Sequence, residues 1–305
     1  VEKLMNTTKR LSKVYESAEE FVFDDSLKVV LMSDCHRGKG DWADEFSKNQ
    51  NICFVALNHY YNKGYTYIEV GDGDELWENR RFSDIKRIHS DIFWLLSKFY
   101  KENRLKFIFG NHDMVKKNPT FVKNNMYEYY DEENKKNIPL FKDIKIHEGL
   151  ILRYNSTNNK IFLVHGHQGD LLNDRFWRLS RFLVRYLWRP LNVFGVNDPT
   201  SAAENQHKKH KVEIRLIRWV RKEKQMLIAG HTHRPMVPEM GEPLYFNIGS
   251  CVHPRCITAI EIEFGNISLV KWYVSTKEDG TLFIDRKILV GPRKLKDYFK
   301  ASENK

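Results

Sequence analysis

Five short apolar runs in this chain each stop at glycine, aspartate or histidine, and that recurrence limits the fold more than any other feature. The runs are short, continuous and bounded by turn residues, so they read as buried strands. "LKVVLMSDCHRG" ends in Asp34-x-His36, and "YTYIEVGDGDELWE" ends in Gly71-Asp72-x-x-Glu75. "LKFIFGNHDM" ends in Gly110-Asn111-His112-Asp113, "KIFLVHGHQGD" in His165-Gly166-His167, and "QMLIAGHTHRPM" in Gly230-His231-x-His233. Residues two apart in extended backbone face the same way, so His231 and His233 can address one point. Taken singly, each ending is also an ordinary turn or helix cap. Five in order, each just past a strand, point to one shared site. Helical patterns separate the first three runs, so the expected class is a layered α/β fold. Such folds gather ligands at the carboxyl ends of their strands.

Aspartate, asparagine and imidazole suit borderline divalent metal ions. The candidate ligands outnumber what one ion needs, so two ions are expected, manganese first, with iron, zinc, cobalt or nickel as alternatives. Cys35, Cys53, Cys251 and Cys256 show neither metal-knot nor disulfide spacing, which suits a reducing compartment. The charged N-terminal stretch lacks the apolar core of a signal peptide, and no run approaches a membrane span. A cytoplasmic location is therefore expected. A net charge of +10 favours anionic partners: phosphorylated small molecules, the inner membrane face or, less readily, nucleic acid.

The set D-x-H, G-D-x-x-D/E, G-N-H-D, H and G-H-x-H, from Asp34 to His233, closely resembles the calcineurin-like metallophosphoesterase superfamily. The resemblance implies a four-layer α/β-β/α sandwich. It further implies one ion held by Asp34, His36, Asp72 and His233. A second would take Asp72, Asn111, His165 and His231, with Asp72 shared. His165 is preferred over His167 because it directly follows the strand, which leaves His167 for substrate. In the family mechanism, a water activated between the ions attacks phosphorus in line. His112 would serve the leaving oxygen as general acid, oriented by Glu75, which stands where aspartate is usual. Asp74 is the competitor for that orienting role.

Residues 170–224, between the fourth and fifth motifs, read as a helical cap inserted into a single domain spanning 1–305. "NDRFWRLSRFLVRYLWRP" is helical up to Pro190, with Arg175, Arg178, Arg181, Arg185 and Arg189 on one stripe. Phe176, Leu179, Leu183, Tyr186 and Leu187 form an apolar face beside it, and "NQHKKHKVEIRLIRWVRKEKQ" is a second basic helix. Arg178, Arg181 and Arg185 are candidates for binding substrate phosphates. The plainer reading is a packed helix with a solvated charged face. This layout is similar to the UDP-2,3-diacylglucosamine pyrophosphatase branch, in which a helical lid receives acyl chains.

Two further helices are expected, one with Phe46, Cys53, Ala56, Leu57 and Tyr60 on its buried face and one with Ile85, Ile88, Ile92, Leu95 and Phe99. Residues 114–137 read as a surface helix and loop. Beyond the fifth motif come three strands, with a turn at Gly265-Asn266, then another strand and a basic tail. The expected activity is hydrolysis of a phosphate ester or pyrophosphate bond. A protein serine/threonine phosphatase and a nuclease are the alternatives.

Overall fold

In β2 (Val29–Met32), Val29 and Leu31 enter one apolar core while Val30 and Met32 enter another on the opposite face. A strand buried on both sides must lie inside a stack of layers, and the computed structural model shows that stack. It describes residues 2–131, 134–189 and 206–303. β2 pairs in parallel with β3 (Thr66–Val70), followed by β4 (Leu105–Ile108) and β7 (Ile146–His147). On its other side, β12 (Cys256–Glu263), β13 (Asn266–Thr276) and β14 (Leu282–Lys294) continue antiparallel, completing seven strands. A second, five-stranded mixed sheet runs β1 (Glu19–Phe23), β8 (Gly149–Tyr154), β9 (Lys160–Val164), β10 (Met226–Ala229) and β11 (Tyr245–Asn247).

Helices α2 (Gln50–Asn62), α3 (Phe82–Ile88) and α4 (Ser90–Lys101) cover the outer face of the larger sheet. They bury Ile52, Leu57, Ile85, Ile92 and Leu96 with Val30 and Met32. Helices α1 (Glu2–Ser17) and α7 (Gln206–Glu223) cover the smaller sheet through Leu11, Val14, Leu216 and Trp219, whose indole lies 5.2 Å from the Phe162 ring. The result is two mixed sheets face to face, flanked by helices, as the resemblance implies.

Several sequence expectations change in detail. The second amphipathic helix is broken at His89, which gives α3 and α4. Its buried ring bridges Asp44 Oδ2 and Gln50 Oε1, each at 2.9 Å. The ring thus ties the junction of α3 and α4 to the start of α2 and the loop before it. Residues 114–137 hold a 3-10 turn, Met114–Lys117, then α5 (Pro119–Met126) and the antiparallel hairpin β5 (Glu128–Asp131) and β6 (Lys136–Pro139). Residues 132–133 lie outside the described residues. The hairpin between β12 and β13 turns at Phe264-Gly265, both at positive φ, one residue before the expected pair. The C-terminal stretch is more than a tail. α8 (Leu295–Glu303) packs Leu295, Tyr298 and Phe299 into the core between the sheets.

The segment expected as a cap divides in two. Residues 171–189 form a helical stretch, with α6 (Trp177–Leu183) at its centre and π-type turns on either side. α7 instead belongs to the outer layer. Residues 190–205 of the expected cap lie outside the described residues. The face of this stretch that packs inward carries Trp177, Ser180 and Val184. The apolar face expected from the sequence, including Phe176, Leu179, Tyr186 and Leu187, is exposed instead. No described helix is long and apolar enough to cross a membrane.

Candidate metal centre

Backbone hydrogen bonds beyond the sheets tie the strand ends together. Asp34 N donates to Gly71 O at 3.1 Å, His36 N to Asp72 O at 2.9 Å, and Gly230 N to His165 O at 3.0 Å. Asp34, His36, Asp72, His231 and His233 all lie at positive φ, between 49° and 67°. That left-handed turn is unfavourable for residues with a side chain. Motif glycines make room for the ligand atoms. A Cβ on Gly110 would fall 2.1 Å from Asp72 Oδ1, and one on Gly230 would fall 1.9 Å from Ser33 Oγ. No side chain could stand at either place.

One oxygen of Asp34 is engaged elsewhere: Oδ2 accepts from Ser33 Oγ at 2.5 Å and from His231 N at 2.9 Å. The other, Oδ1, faces His233 Nε2 at 3.1 Å, His36 Nε2 at 3.8 Å and His165 Nε2 at 3.9 Å. Asp72 Oδ1 accepts from His112 N at 2.8 Å, while Oδ2 lies 3.0 Å from His165 Nε2 and 3.9 Å from His36 Nε2. Two groups follow, Asp34–His36–His233 and Asp72–His165–His231, joined by a third, His36–Asp72–His112, each with its ligand atoms within 4.8 Å of one another. Together they are consistent with a binuclear centre.

The donor chemistry fits such ions. Asp34 Oδ1, His36 Nε2, Asn111 Oδ1, His165 Nε2 and His231 Nε2 are buried without a hydrogen-bond partner. Unsatisfied polar atoms this deep are costly unless something binds them. The far nitrogens orient the rings: His165 Nδ1 lies 2.9 Å from Val70 O, and His36 Nδ1 lies 2.9 Å from Glu75 Oε2. Burial alone would raise the Asp34 pKa, but His233 and His165 outweigh it and hold that carboxyl well below its usual range. Burial would lower His165, yet Asp72 and Asp34 push it up to about 9. Burial and the neighbouring His165 pull His231 down to about 3. Asp34 and Asp72, with Glu75, raise His36 as well, well above its usual value, so the carboxylates favour positive charge on the rings around them.

At the rim, His112 Nδ1 lies 2.7 Å from Glu75 Oε2, the same oxygen that meets His36. Its ring stacks on Trp77 with centroids 4.4 Å apart. Asp74 does not compete for it. That carboxylate is buried against Arg37 Nε at 2.8 Å and Lys116 Nζ at 2.6 Å, and despite burial these cations hold its pKa at about 2.

Residues 27–235, more than half of the chain, match the family model described as calcineurin-like phosphoesterase. The chain belongs to that family. No curated protein matches it. Among solved structures that match, Vps29 of Chaetomium thermophilum is 12% identical, over 87% of this chain and 96% of that one, with a TM-score of 0.36. The cold-active protein-tyrosine phosphatase of a Shewanella species is 12% identical, over 88% of this chain and 82% of that one, with a TM-score of 0.38.

The remaining candidates of this calcineurin-like chain are placed less uniformly. His167 is fully buried, with neither ring nitrogen hydrogen-bonded, behind His165 and His231 rather than on an open surface. Burial of this kind does not suit the substrate contact expected of it. It groups with Glu148 and Asp174, whose carboxylates are both engaged by Arg10 of α1. Arg185 is also committed: Nε donates to Trp77 O and a terminal nitrogen to Leu76 O, both at 2.8 Å. These bonds tie residues 171–189 to the loop after β3. Arg189 pairs with Asp41 and Glu78. Arg178 and Arg181 stand apart from these two and meet Trp177 instead.

Sequence reasoning missed Ser33, Arg37, Trp77 and Lys116, which support the centre without entering it. Ser33 is adjacent to Asp34 and was the most readable of them. Lys116 and Arg37 are buried cations that converge on Asp74 from separate parts of the chain, and no local pattern reveals that convergence.

Proposed function

We propose that this chain is a binuclear-metal phosphoesterase that hydrolyses a phosphate ester or pyrophosphate bond in a small molecule. The motif layout resembles the UDP-2,3-diacylglucosamine pyrophosphatase branch, which supports this reading. The observation that carries the reading is the convergence of five unpartnered lone-pair atoms beside the Glu75–His112 pair. Asp34, His36, Asp72 and His233 would hold one ion, and Asp72, Asn111, His165 and His231 the other. Bound there, the ions would supply Lewis acidity to activate a water and neutralise charge on the phosphoryl oxygens.

The chain's own residues do the rest. Glu75 fixes His112 by Nδ1, leaving Nε2 as the nitrogen that can deliver a proton to the leaving oxygen. Burial lowers the His112 pKa, but Glu75 and Asp72 overcome this and raise it above the usual imidazole value, which favours the protonated ring. Stacking on Trp77 limits its rotation. Ser33 and the backbone N–H of His231 hold Asp34 with one oxygen outward, and His112 N does the same for Asp72.

The test is hydrolysis of p-nitrophenyl phosphate by protein reconstituted with manganese, with metal content measured in parallel. Two ions per chain and loss of turnover on chelation are expected. Full activity in chelated protein would refute the reading. Partner preference follows from the exposed Leu179, Phe182 and Leu187 beside basic Arg175, a combination suited to an anionic membrane surface. Co-sedimentation with phosphatidylglycerol vesicles, absent with phosphatidylcholine, is the expected sign.

A further inference from the structure

The larger sheet ends at β14, and among the described residues no backbone pairs with the far side of that strand. A long open edge invites pairing with another chain unless charge or cover blunts it. β14 is long, running Leu282–Lys294, and its apolar side chains are uncovered: Leu282 is 68% exposed, and Ile288 and Leu289 are 41% each. Beyond Tyr273 the β13–β14 hairpin projects past β12 as a two-stranded ribbon, which leaves Val274 exposed as well. β12 and β13 separate this edge from the ligand-bearing β2, so association here is independent of hydrolysis.

The edge is complementary to itself in one register. Arg286 N donates to Asp285 Oδ1 at 2.8 Å, so that N–H points away from β13. In antiparallel pairing the outward groups recur at every second residue, so Ile284, Arg286 and Ile288 offer the free N–H and C=O groups. A two-fold axis at Arg286 sets Ile284 opposite Ile288 of a second copy, and Asp285 opposite Lys287 of that copy. An axis at Asp285 or at Lys287 would instead set like charges against each other. Both groups lack an ionic partner of their own. Lys287 lies opposite Lys271 and meets no carboxylate among the described residues. Asp285 accepts from the Tyr273 hydroxyl at 3.1 Å and meets no cation among them. Arg286 would face its own counterpart, but each guanidinium is already neutralised by Glu261, with Nε donating to Oε1 at 2.8 Å. A register shift beyond Ile288 ends the regular stretch, where Leu289 comes to lie opposite Phe283 of the second copy. We infer that β14 pairs antiparallel with β14 of a second copy about a two-fold axis at Arg286, joining two seven-stranded sheets into one.

The test is sedimentation equilibrium of the full chain from about 1 µM to about 200 µM, because association follows mass action. The wild-type mass should rise from 36.3 kDa toward twice that value. Asp285→Lys or Lys287→Glu alone should weaken association by about tenfold or more, since like charges then lie opposite each other twice per dimer. Two combinations separate this loss from damage to the fold. The double variant Asp285→Lys, Lys287→Asp should recover association. An equimolar mixture of the Asp285→Lys and Lys287→Glu chains should form a heterodimer although neither associates with itself. A wild-type chain that stays monomeric at the highest concentration would overturn the inference, as would association unaltered in both single variants. Association lost in the single variants and recovered in neither combination would overturn it as well.

Discussion

A single carboxylate oxygen, Glu75 Oε2, contacts both His36 and His112. An aspartate at position 75 would be one methylene too short to reach both rings from the same backbone. Glu75→Gln keeps the length and removes the charge. Its kcat should fall about 10–100-fold, the usual cost of losing a partner that orients a ligand. The sign of the pH effect follows from the raised His112 pKa: removing the carboxylate lowers it, so the alkaline limb of kcat/KM should move to lower pH. An unmoved limb would show that Glu75 does not hold the proton on His112. His112→Ala should cost about 10²–10⁴-fold in kcat for alkyl esters and far less for nitrophenyl esters, which leave without a proton. Of this arrangement the sequence shows the residue types, because they cluster at strand ends. It does not show which carboxylate faces His112. Asp74 and Glu75 are adjacent in the chain, and only the distant Arg37 and Lys116 draw Asp74 away.

Elements were legible in proportion to their burial. Strands β2, β3, β4, β9 and β10 are apolar runs sealed between layers, and each stands where its run predicts. β1, with the sequence EEFVF, lies at a sheet edge with polar side chains exposed, so no apolar run marks it. α1 and α8 carry many charges and too few apolar residues to stand out, although both close the core. The break between α3 and α4 is invisible in the 3.6-residue pattern, which continues through His89. His89→Ala would leave Asp44 and Gln50 without their buried partner and open a small cavity. A loss of about 2–4 kcal/mol is expected from chemical denaturation, with retention of metal content distinguishing it from damage to the centre.

At the scale of the molecule, the order of the strands brings together motifs that are far apart in the chain, and that order was implied by the resemblance rather than by periodicity. Its stability should depend on acid in a specific way. His147, on β7 at the edge of the larger sheet, is buried, and that burial pulls its pKa to about 4. An unfolded histidine titrates near 6.5, so the unfolded chain binds the extra proton first as pH falls between those values. Stability is therefore lost through that window and levels off below it. His147→Gln should flatten this limb by ~1–2 kcal/mol at pH 4.5, allowing for solvent screening of a ring that is not wholly enclosed. An unchanged slope in urea titrations would show that the ring is hydrated. Manganese at a hundredfold excess over its Kd should add about 2.7 kcal/mol of apparent stability per site.

The left-handed backbone at Asp34, His36, Asp72, His231 and His233 carries a consequence for how such a protein would change under selection. Glycine adopts that conformation freely, so by backbone preference alone each of these positions would favour the simplest alternative. His233→Gly should make the metal-free protein more stable, by about 1 kcal/mol in thermal unfolding, while abolishing one ion. A lineage that kept the scaffold but no longer needed hydrolysis would have a downhill path at these turns, and would lose its chemistry before its shape.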